Sequence, residues 1–155
     1  MSLERGLNVK SILIMATLKI SDLSVGDWVM VEWPNGERWR GRLTRLSETG
    51  GIEVSCANGK HVRCTSKFIS SIPITAEILE KNGLFRHEID AASPERVTLS
   101  NYFMLVRTYT DVDWWRVLIY DEEIASEELF NGIVYSVHQL QHALRLAEVD
   151  KEINL

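Results

Sequence analysis

The sequence is poor in cysteine and has no long apolar run, and each absence excludes a class of protein. Its 155 residues include two cysteines, Cys56 and Cys64, which are too few for the disulfide framework of a small secreted domain. No stretch approaches the roughly 20 consecutive apolar residues that a membrane-spanning helix needs. We therefore expect free thiols and a cytoplasmic protein that does not insert into a membrane.

The chain also lacks the recognisable motifs of catalytic and metal-binding proteins. It contains no Gly-x-Ser-x-Gly elbow, no phosphate-binding Walker loop and no Cys–His spacing typical of hydrolases. The acidic run 121–128 has neither the regular oxygen spacing nor the turn glycine of a calcium loop. We predict a protein that is not an enzyme and has no cofactor or metal. An unrecognised small hydrolase is the alternative, because groups such as His87 and Glu88 need only meet their partners in space.

Charge is distributed unevenly along the chain. Residues 1–72 carry ten Lys and Arg against seven Asp and Glu, whereas residues 73–155 carry seven against fifteen. A basic front half can indicate an anionic partner. The same numbers also fit two solvated surfaces of different composition. Residues 1–14 stand apart, because their apolar stretch is too short for a signal peptide, and we interpret them as a leader or upstream extension.

Residues 15–74 predict a small β-barrel. Short runs of alternating apolar residues are separated by turn sequences at 34–37, 49–51 and 57–60, and two of these contain Asn-Gly. Asn-Gly favours a two-residue hairpin turn in which both residues have positive φ. With such a turn at Asn58, Cys56 faces His61 and Cys64 faces Glu53, so the two thiols point to opposite sides of the sheet.

The second predicted strand is the main candidate binding surface. Its outward residues are Arg38, Arg40 and Arg42, and its inward residues are Trp39, Gly41 and Leu43. Guanidinium groups spaced about 6.5 to 7 Å apart suit the phosphates of a nucleic acid. Lys60 and Arg63 extend this surface if the next hairpin folds beside it. The alternative is a solvated face on which the arginines pair with Glu32, Glu37 and Glu53.

The tryptophans of this region support the barrel prediction. The segments 26–33 and 39–43 resemble the opening hairpin of SH3-like barrels, a group that includes Tudor and KOW modules. In those modules aromatic residues at strand ends can hold a cation or stack on bases. Trp28 and Trp33 fall on opposite faces of their strand, so we expect at least two of Trp28, Trp33 and Trp39 to pack in the core.

The remaining residues predict a connecting helix and an α+β domain. The helix, 75–83, begins at the N-cap Thr75 and ends at Gly83. Within 84–155 we expect an antiparallel sheet made of a hairpin at 85–99 and two central strands at 102–109 and 114–120. The acidic run that follows is interpreted as a solvated connection.

The last helix, 137–147, has the clearest local signature in the chain. Ser136 and Gln139 form a capping box. The buried stripe is expected to contain Val137, Leu140, Leu144 and Ala147. The opposite face carries His138, His142 and Arg145, which we interpret as facing solvent or a partner. Two histidines without a third ligand do not predict a metal site.

Three segments resemble a family of small uncharacterised proteins. They are Leu23–Val29, Ile72–Gly83 and Tyr135–Leu146. These proteins are abundant in Bacteroidetes genomes and often lie near phage-like or mobile elements. The resemblance covers nearly everything after Met15. It implies a bacterial cytoplasmic setting and a mobile-element role, and it supplies no activity, cofactor or catalytic residue that could be carried over to this chain.

The sequence thus predicts an α+β protein with an N-terminal SH3-like barrel, a connecting helix and a C-terminal antiparallel sheet covered by one helix. We expect a binding or adaptor module whose partner is another protein or a second copy of the chain. The alternative is a nucleic acid bound along Arg38, Arg40, Arg42, Lys60 and Arg63. A protein partner predicts an exposed apolar patch. A nucleic acid predicts a basic face uninterrupted by glutamate pairing.

Overall fold

The computed structural model divides after Ile72 into two compact units. It describes residues 18–84, 95–100, 103–107, 114–121, 123–124 and 127–155. The leader at 1–14 and the first arm of the hairpin predicted at 85–99 lie outside these residues. Within the described ranges, no helix has both the length and the apolar character needed to cross a membrane.

The first unit is an antiparallel five-stranded sheet. Its strands are β1 (Trp28–Glu32), β2 (Arg38–Leu46), β3 (Ile52–Cys56), β4 (His61–Cys64) and β5 (Ile69–Ser70). The order β4-β3-β2-β1-β5 means that four strands form a meander and the fifth returns beside the first. A 3-10 turn, Ser66–Phe68, joins β4 to β5. As described, the sheet is open, with β4 and β5 as its two edges, so the closed barrel of the prediction is not seen.

The three hairpins of this sheet are where the sequence predicts them, but the Asn-Gly loops are longer than the two-residue turn of the prediction. Gly59 donates its amide to the carbonyl of Cys56 (3.0 Å), and the Cys56 amide donates to the carbonyl of Lys60 (2.8 Å). The other two hairpins repeat this pattern. The loop glycines Gly36, Gly50 and Gly59 have φ of +87°, +91° and +84°, whereas Asn58 keeps a negative φ. This is a type I turn followed by a left-handed glycine, and not a two-residue turn.

The longer loop shifts the β3–β4 register by one residue. Ser55 faces His61, and Ile52 faces Cys64. A one-residue shift moves the side chains of a strand to the other face. Cys56 and Cys64 therefore lie on the same side of the sheet, and the prediction that they point to opposite sides is wrong. Both are free thiols. The residue that faces Cys64 is Ile52, which lies four residues, or about 13 Å, from Cys56 along β3.

The inner face of this sheet forms a hydrophobic core. Its buried members are Leu23, Val29, Val31, Leu43, Ile52, Val54, Cys56, Val62 and Ile69. Gly41 lies where β3 approaches β2 closely, because a Cβ there would clash with the Val54 side chain and lie 2.9 Å from the Ser55 carbonyl oxygen. A register shift between Leu43 and Arg45 marks a bulge in the same strand. Glycine and bulge together allow the nine-residue β2 to bend.

The described residues of the second unit form two helices and an antiparallel sheet of four strands. The elements are α1 (Ala76–Lys81), β6 (Glu95–Ser100), β7 (Phe103–Arg107), β8 (Trp115–Tyr120), β9 (Glu128–Val134) and α2 (Val137–Leu146). The sheet order is β6-β7-β8-β9. The predicted positions of β6, β7 and β8 are confirmed. β9 is absent from the prediction, which treats its beginning as part of the acidic connection.

The two central strands, β7 and β8, have one buried face and one half-buried face. The buried side chains of β7 and β8 are Phe103, Leu105, Trp115, Val117 and Ile119. The alternate residues Met104, Leu118 and Tyr120 are half-buried. The expectation that both faces are completely covered therefore holds for one of them.

Local hydrogen bonds fix both helices. The Thr75 hydroxyl accepts from the Ile78 amide (3.2 Å) and caps α1. Ser136 and Gln139 form the predicted capping box of α2. The Ile74 amide donates to the Tyr135 carbonyl (3.2 Å), so the segments that precede the two helices are joined. Residues 73–74, assigned to the barrel by the sequence, therefore lie with the second unit.

Candidate functional site

The arginines of β2 face outward, and the structure pairs part of this row with glutamates. Arg38 forms an ion pair with Glu32, its direct cross-strand neighbour. Arg63 of β4 forms an ion pair with Glu53 of β3, with 2.7 Å between Nε and Oε1. Each pair places a carboxylate beside a guanidinium group that would otherwise meet a phosphate. The basic face is therefore interrupted at two points.

The other cations of this region have different surroundings. The Arg42 guanidinium lies over the Trp28 ring, 4.9 Å from its centroid, and both residues are direct neighbours across β1 and β2. Within the described part of the chain, Arg40 and Arg45 are exposed and form no ion pair. Lys60 lies over the ring of Trp39, with its Nζ 4.7 Å from the centroid. Trp39 is directed away from the arginines, so Lys60 does not continue their row.

Two of the three tryptophans converge with a phenylalanine into an aromatic cluster, which we define as Trp33, Trp39 and Phe68. The two indole rings pack edge to face, 5.8 Å apart at 78°. Phe68 lies 5.4 Å from Trp33. Trp33 and Trp39 are half-buried and pack against the core of the first unit. Lys67 lies over Phe68 at 5.4 Å, so lysines accompany this cluster at two positions.

Two cavities lie beside the Glu53–Arg63 ion pair. One has a volume of about 240 Å³ and is lined by Arg45, Ser47, Gly51, Ile52, Glu53, Arg63 and Cys64. The other, of about 350 Å³, is lined by Thr44, Glu53, Val54, His61, Val62 and Arg63. Burial raises the pKa of the Cys64 thiol, and Cys56, on the same side of the sheet, adds to the shift. Because a protonated thiol is a weak nucleophile, the smaller cavity offers charged groups and no activated sulfur.

The histidine face of α2 differs from the prediction. His138 is 3% exposed, and its Nδ1 lies 3.0 Å from the Ser136 hydroxyl. Its ring packs edge to face on His142, which is half-buried, at 5.9 Å. The prediction that His138 faces solvent or a partner is wrong, because α2 is also buried on the arc that contains His138 and Gln141. Arg145 is the exposed member of the predicted face.

Metal ligands do not gather in any described region. Within residues 18–84 and the described parts of the second unit, no group of three or more His, Cys, Asp and Glu side chains could hold a metal ion. His138 and His142 do not belong to such a group among the described residues.

Exposed apolar side chains are concentrated at β9, a surface that the sequence prediction missed. We define the β9 surface as Ile124, Leu129, Phe130 and Ile133. Their exposed fractions are 53%, 59%, 36% and 44%. Leu129, Phe130 and Ile133 belong to β9, which is an edge strand of the sheet as far as it is described. The outer backbone groups of an edge strand can pair with another strand.

Local contacts order this surface. Asp121 accepts hydrogen bonds at Oδ1 from the amides of Glu123 (2.8 Å) and Ile124 (2.7 Å), which holds the turn before β9. Arg116 of β8 donates from Nη1 to Oδ1 of Asn131 (2.8 Å). The Phe130 ring lies over Gly132, since a Cβ on that glycine would stand 2.5 Å from the Cζ atom of the ring. The apolar residues are thus displayed by a turn and a strand whose positions are fixed.

Comparison with known proteins assigns no family. No protein-family model matches the chain, and no curated protein matches it. The resemblance to small proteins of mobile elements therefore stays a prediction.

Proposed function

We propose that this protein is a non-catalytic binding module whose partner is another protein, bound at the β9 surface. The observation that carries the proposal is the grouping of Leu129, Phe130 and Ile133, each more than a third exposed, on one edge strand. Each square ångström of apolar surface removed from water contributes about 25 cal/mol. Exposed apolar side chains grouped on one strand are a feature of protein interaction sites.

The edge position adds a backbone component to this binding. An edge strand can receive an extended segment from a partner, whose main chain then continues the hydrogen-bond ladder while side chains give specificity. Natural edge strands usually carry charges, proline or short length to prevent such pairing. β9 has seven residues, no proline, and one acidic side chain, that of its first residue Glu128. These features favour pairing of β9 with a strand of a partner over an edge that stays exposed to solvent.

A nucleic acid is the second candidate partner, at a surface other than the one predicted. The pairing of Arg38 and Arg63 with glutamates reduces the charge that the arginine row offers to phosphates. The aromatic cluster, accompanied by Lys60 and Lys67 at its rings, supplies the combination of stacking surface and positive charge used to bind single strands. This combination is the specific observation in favour of the second candidate.

The finer fold proposal is an SH3-like barrel for the first unit. It is supported by the meander of four strands, the single 3-10 turn after β4 and the short β5 beside β1. The bent β2 would then serve both halves of the barrel. For the second unit we infer that α2 covers the sheet, because Trp115 of β8 is 1% exposed and Leu140 of α2 is completely buried. The bacterial, mobile-element setting is supported by the sequence resemblance alone.

Site-directed photo-crosslinking tests the proposed function. A benzophenone-bearing amino acid replaces Ile133 in one variant and Leu129 in another, and the chain is irradiated in the cells that express it. The matched control carries the same group in place of Val25, which is 58% exposed in the other unit. We expect a discrete protein adduct at positions 129 and 133 and none at position 25. Equal adducts at all three positions, or none, would contradict the proposal.

A further inference from the structure

We propose that the aromatic cluster holds the bases of a short single-stranded nucleic acid, and that Lys60 and Lys67 move from their rings to the phosphates on either side of those bases. This inference rests on the second candidate function and is independent of the β9 surface. It adds to that function the length of strand that is held, the two phosphate ligands and a movement of both lysines on binding.

The cluster and its lysines form a row across the first unit. Strand β1 lies between β2 and β5. Trp33, which directly follows β1, accordingly contacts Trp39 of β2 and Phe68, which directly precedes β5. Lys60 lies over the ring of Trp39, and Lys67 lies over the ring of Phe68. The row therefore has three rings, and each outer ring carries a cation.

The spacing of the rings suits an extended single strand. The ring centroids of Trp33 and Trp39 are 5.8 Å apart, and those of Trp33 and Phe68 are 5.4 Å apart. Successive bases of a strand in B-form DNA are separated by about 3.4 Å along the axis. Neighbouring rings, which are also inclined at 78° and 49° to each other, would receive bases that have separated from one another. Single strands bind to aromatic side chains with their bases splayed in this way.

The two lysines carry charge that other described residues do not neutralise. Both are exposed, and in the described part of the chain neither forms an ion pair. Glu32 is paired with Arg38. Glu37, in the loop that joins Trp33 to Trp39, is one carboxylate against two ammonium groups. The row is therefore positive as a whole, as a phosphate backbone requires.

Each lysine covers a ring face on which a base could stack. Trp39 is half-buried against the core, and the exposed Lys60 places its Nζ 4.7 Å from the ring centroid. A base that stacks on this face displaces the ammonium group. A stacked base contributes more than a cation–π contact at an exposed site, and the displaced ammonium group can pair with the adjoining phosphate. The same lysine thus covers the ring in the free protein and binds the backbone in the complex.

The rings distinguish a nucleic acid from other polyanions. An acidic peptide or inorganic polyphosphate could pair with both lysines but offers no succession of planar faces to the three rings. A single strand offers a base for each ring and a phosphate for each lysine. Because three bases need a phosphate on both sides, the shortest strand that fills the row has about five nucleotides.

Fluorescence anisotropy of the full chain with a labelled pentathymidylate, over a range of salt concentrations, tests the two phosphate contacts. Single strands give a slope of log K against log salt of about −0.7 per phosphate contact, so two contacts predict about −1.4. Lys60→Gln and Lys67→Gln should each lower the affinity and reduce the slope to about −0.7. Arg40→Gln, which removes an exposed cation of the arginine row, is the matched control and should leave the slope unchanged. A slope that neither lysine variant changes overturns the inference.

Two further comparisons test the stacking. Phe68→Leu should weaken binding at least about fivefold, whereas Phe68→Tyr, which keeps a ring, should not. Circular dichroism checks that both variants are folded. Inorganic polyphosphate of the same charge should displace the strand at least about tenfold less well than unlabelled pentathymidylate does. Equal displacement by the two competitors overturns the inference, because the lysines would then bind phosphate without stacked bases.

Nuclear magnetic resonance tests the movement of the lysines. In the free chain the ring currents of Trp39 and Phe68 should shift the ε-methylene protons of Lys60 and Lys67 upfield. Saturation with pentathymidylate should return both signals to the ordinary lysine position. Signals that stay upfield in the complex overturn the proposed movement.

The outcomes separate this inference from the second candidate function. Binding that Phe68→Leu weakens, with an unchanged salt slope in both lysine variants, leaves a nucleic acid at the aromatic cluster and overturns the role of the lysines. Binding that Arg40→Gln weakens more than Lys60→Gln overturns both, and so does the absence of binding to any single strand at low salt.

Discussion

Asn82→Ala is expected to destabilise the second unit, because one buried amide ties α1 to the end of the chain. The Asn82 side chain donates from Nδ2 to the carbonyls of Ile78 (2.9 Å) and Asn154 (2.8 Å). Its Oδ1 accepts from the Asn154 amide at 2.8 Å. Each such bond between neutral groups contributes about 0.5 to 1.5 kcal/mol. Ile78 retains another donor to its carbonyl, and Asn154 is exposed and regains water, so we expect a loss of about 2 kcal/mol in the free energy of unfolding.

The matched control for this prediction is Asn154→Ala. Asn154 takes part through its backbone amide and carbonyl, so removal of its side chain should change the unfolding free energy by less than about 0.5 kcal/mol. The assay is urea unfolding followed by far-ultraviolet circular dichroism and by hydrogen exchange of the second unit. An Asn82→Ala effect below about 0.5 kcal/mol, or an equally large effect of Asn154→Ala, would refute the reasoning.

Three further predictions follow from the first unit. Gly41→Ala should lower the unfolding free energy by about 1 to 3 kcal/mol, because the added methyl group overpacks against β3. Gly51→Ala is the control and should be nearly neutral in urea unfolding, because its Cβ would make an ordinary contact at 3.6 Å. Equal effects of the two substitutions would contradict the packing argument. The rate of iodoacetamide modification of Cys64 should rise at higher pH than for a free cysteine, because burial raises the pKa and the thiolate is the reactive form; a pH–rate midpoint below that of free cysteine would contradict this. If single-stranded DNA binds, fluorescence anisotropy should show that Lys60→Glu lowers the affinity more than Arg40→Glu does. The reverse order would indicate that the DNA binds at the arginine row.

The strands of the first unit could be predicted because their turns are encoded locally. Asn and Gly at fixed positions determine where each hairpin turns. The register could not be obtained in the same way, because Asn58-Gly59 is compatible with two loop types that differ by one residue. The sequence interpretation favours the two-residue turn, and the structure has the longer one. One residue of loop length was enough to reverse the predicted relation between Cys56 and Cys64.

The arginine pairs and the buried histidine depend on contacts that the local pattern does not contain. Glutamates were recognised as alternative partners of the arginines, but only the cross-strand register shows that Glu32 meets Arg38 and Glu53 meets Arg63. The capping box of α2 was predictable from adjacent residues. The width of its buried face was not, since burial of His138 reflects what packs around the helix.

β9 escaped prediction because its sequence contains conflicting signals. Glu127 and Glu128 extend the acidic run, and Asn131-Gly132 reads as a turn. Phe130 and Ile133 favour a strand, and the structure shows that pairing with β8 decides between the two. This strand also has apolar residues at a sheet edge without the charged side chains or proline that usually prevent pairing there. It is therefore the candidate binding surface.

Photo-crosslinking at position 133, compared with position 25, is the most direct test of the central claim that β9 binds protein. The two positions carry similarly exposed apolar residues in different units, so a difference between them reports the site and not exposure alone. The account predicts a discrete protein adduct at position 133 and none at position 25. Adducts of equal yield at both positions, or no adduct at position 133, would contradict it.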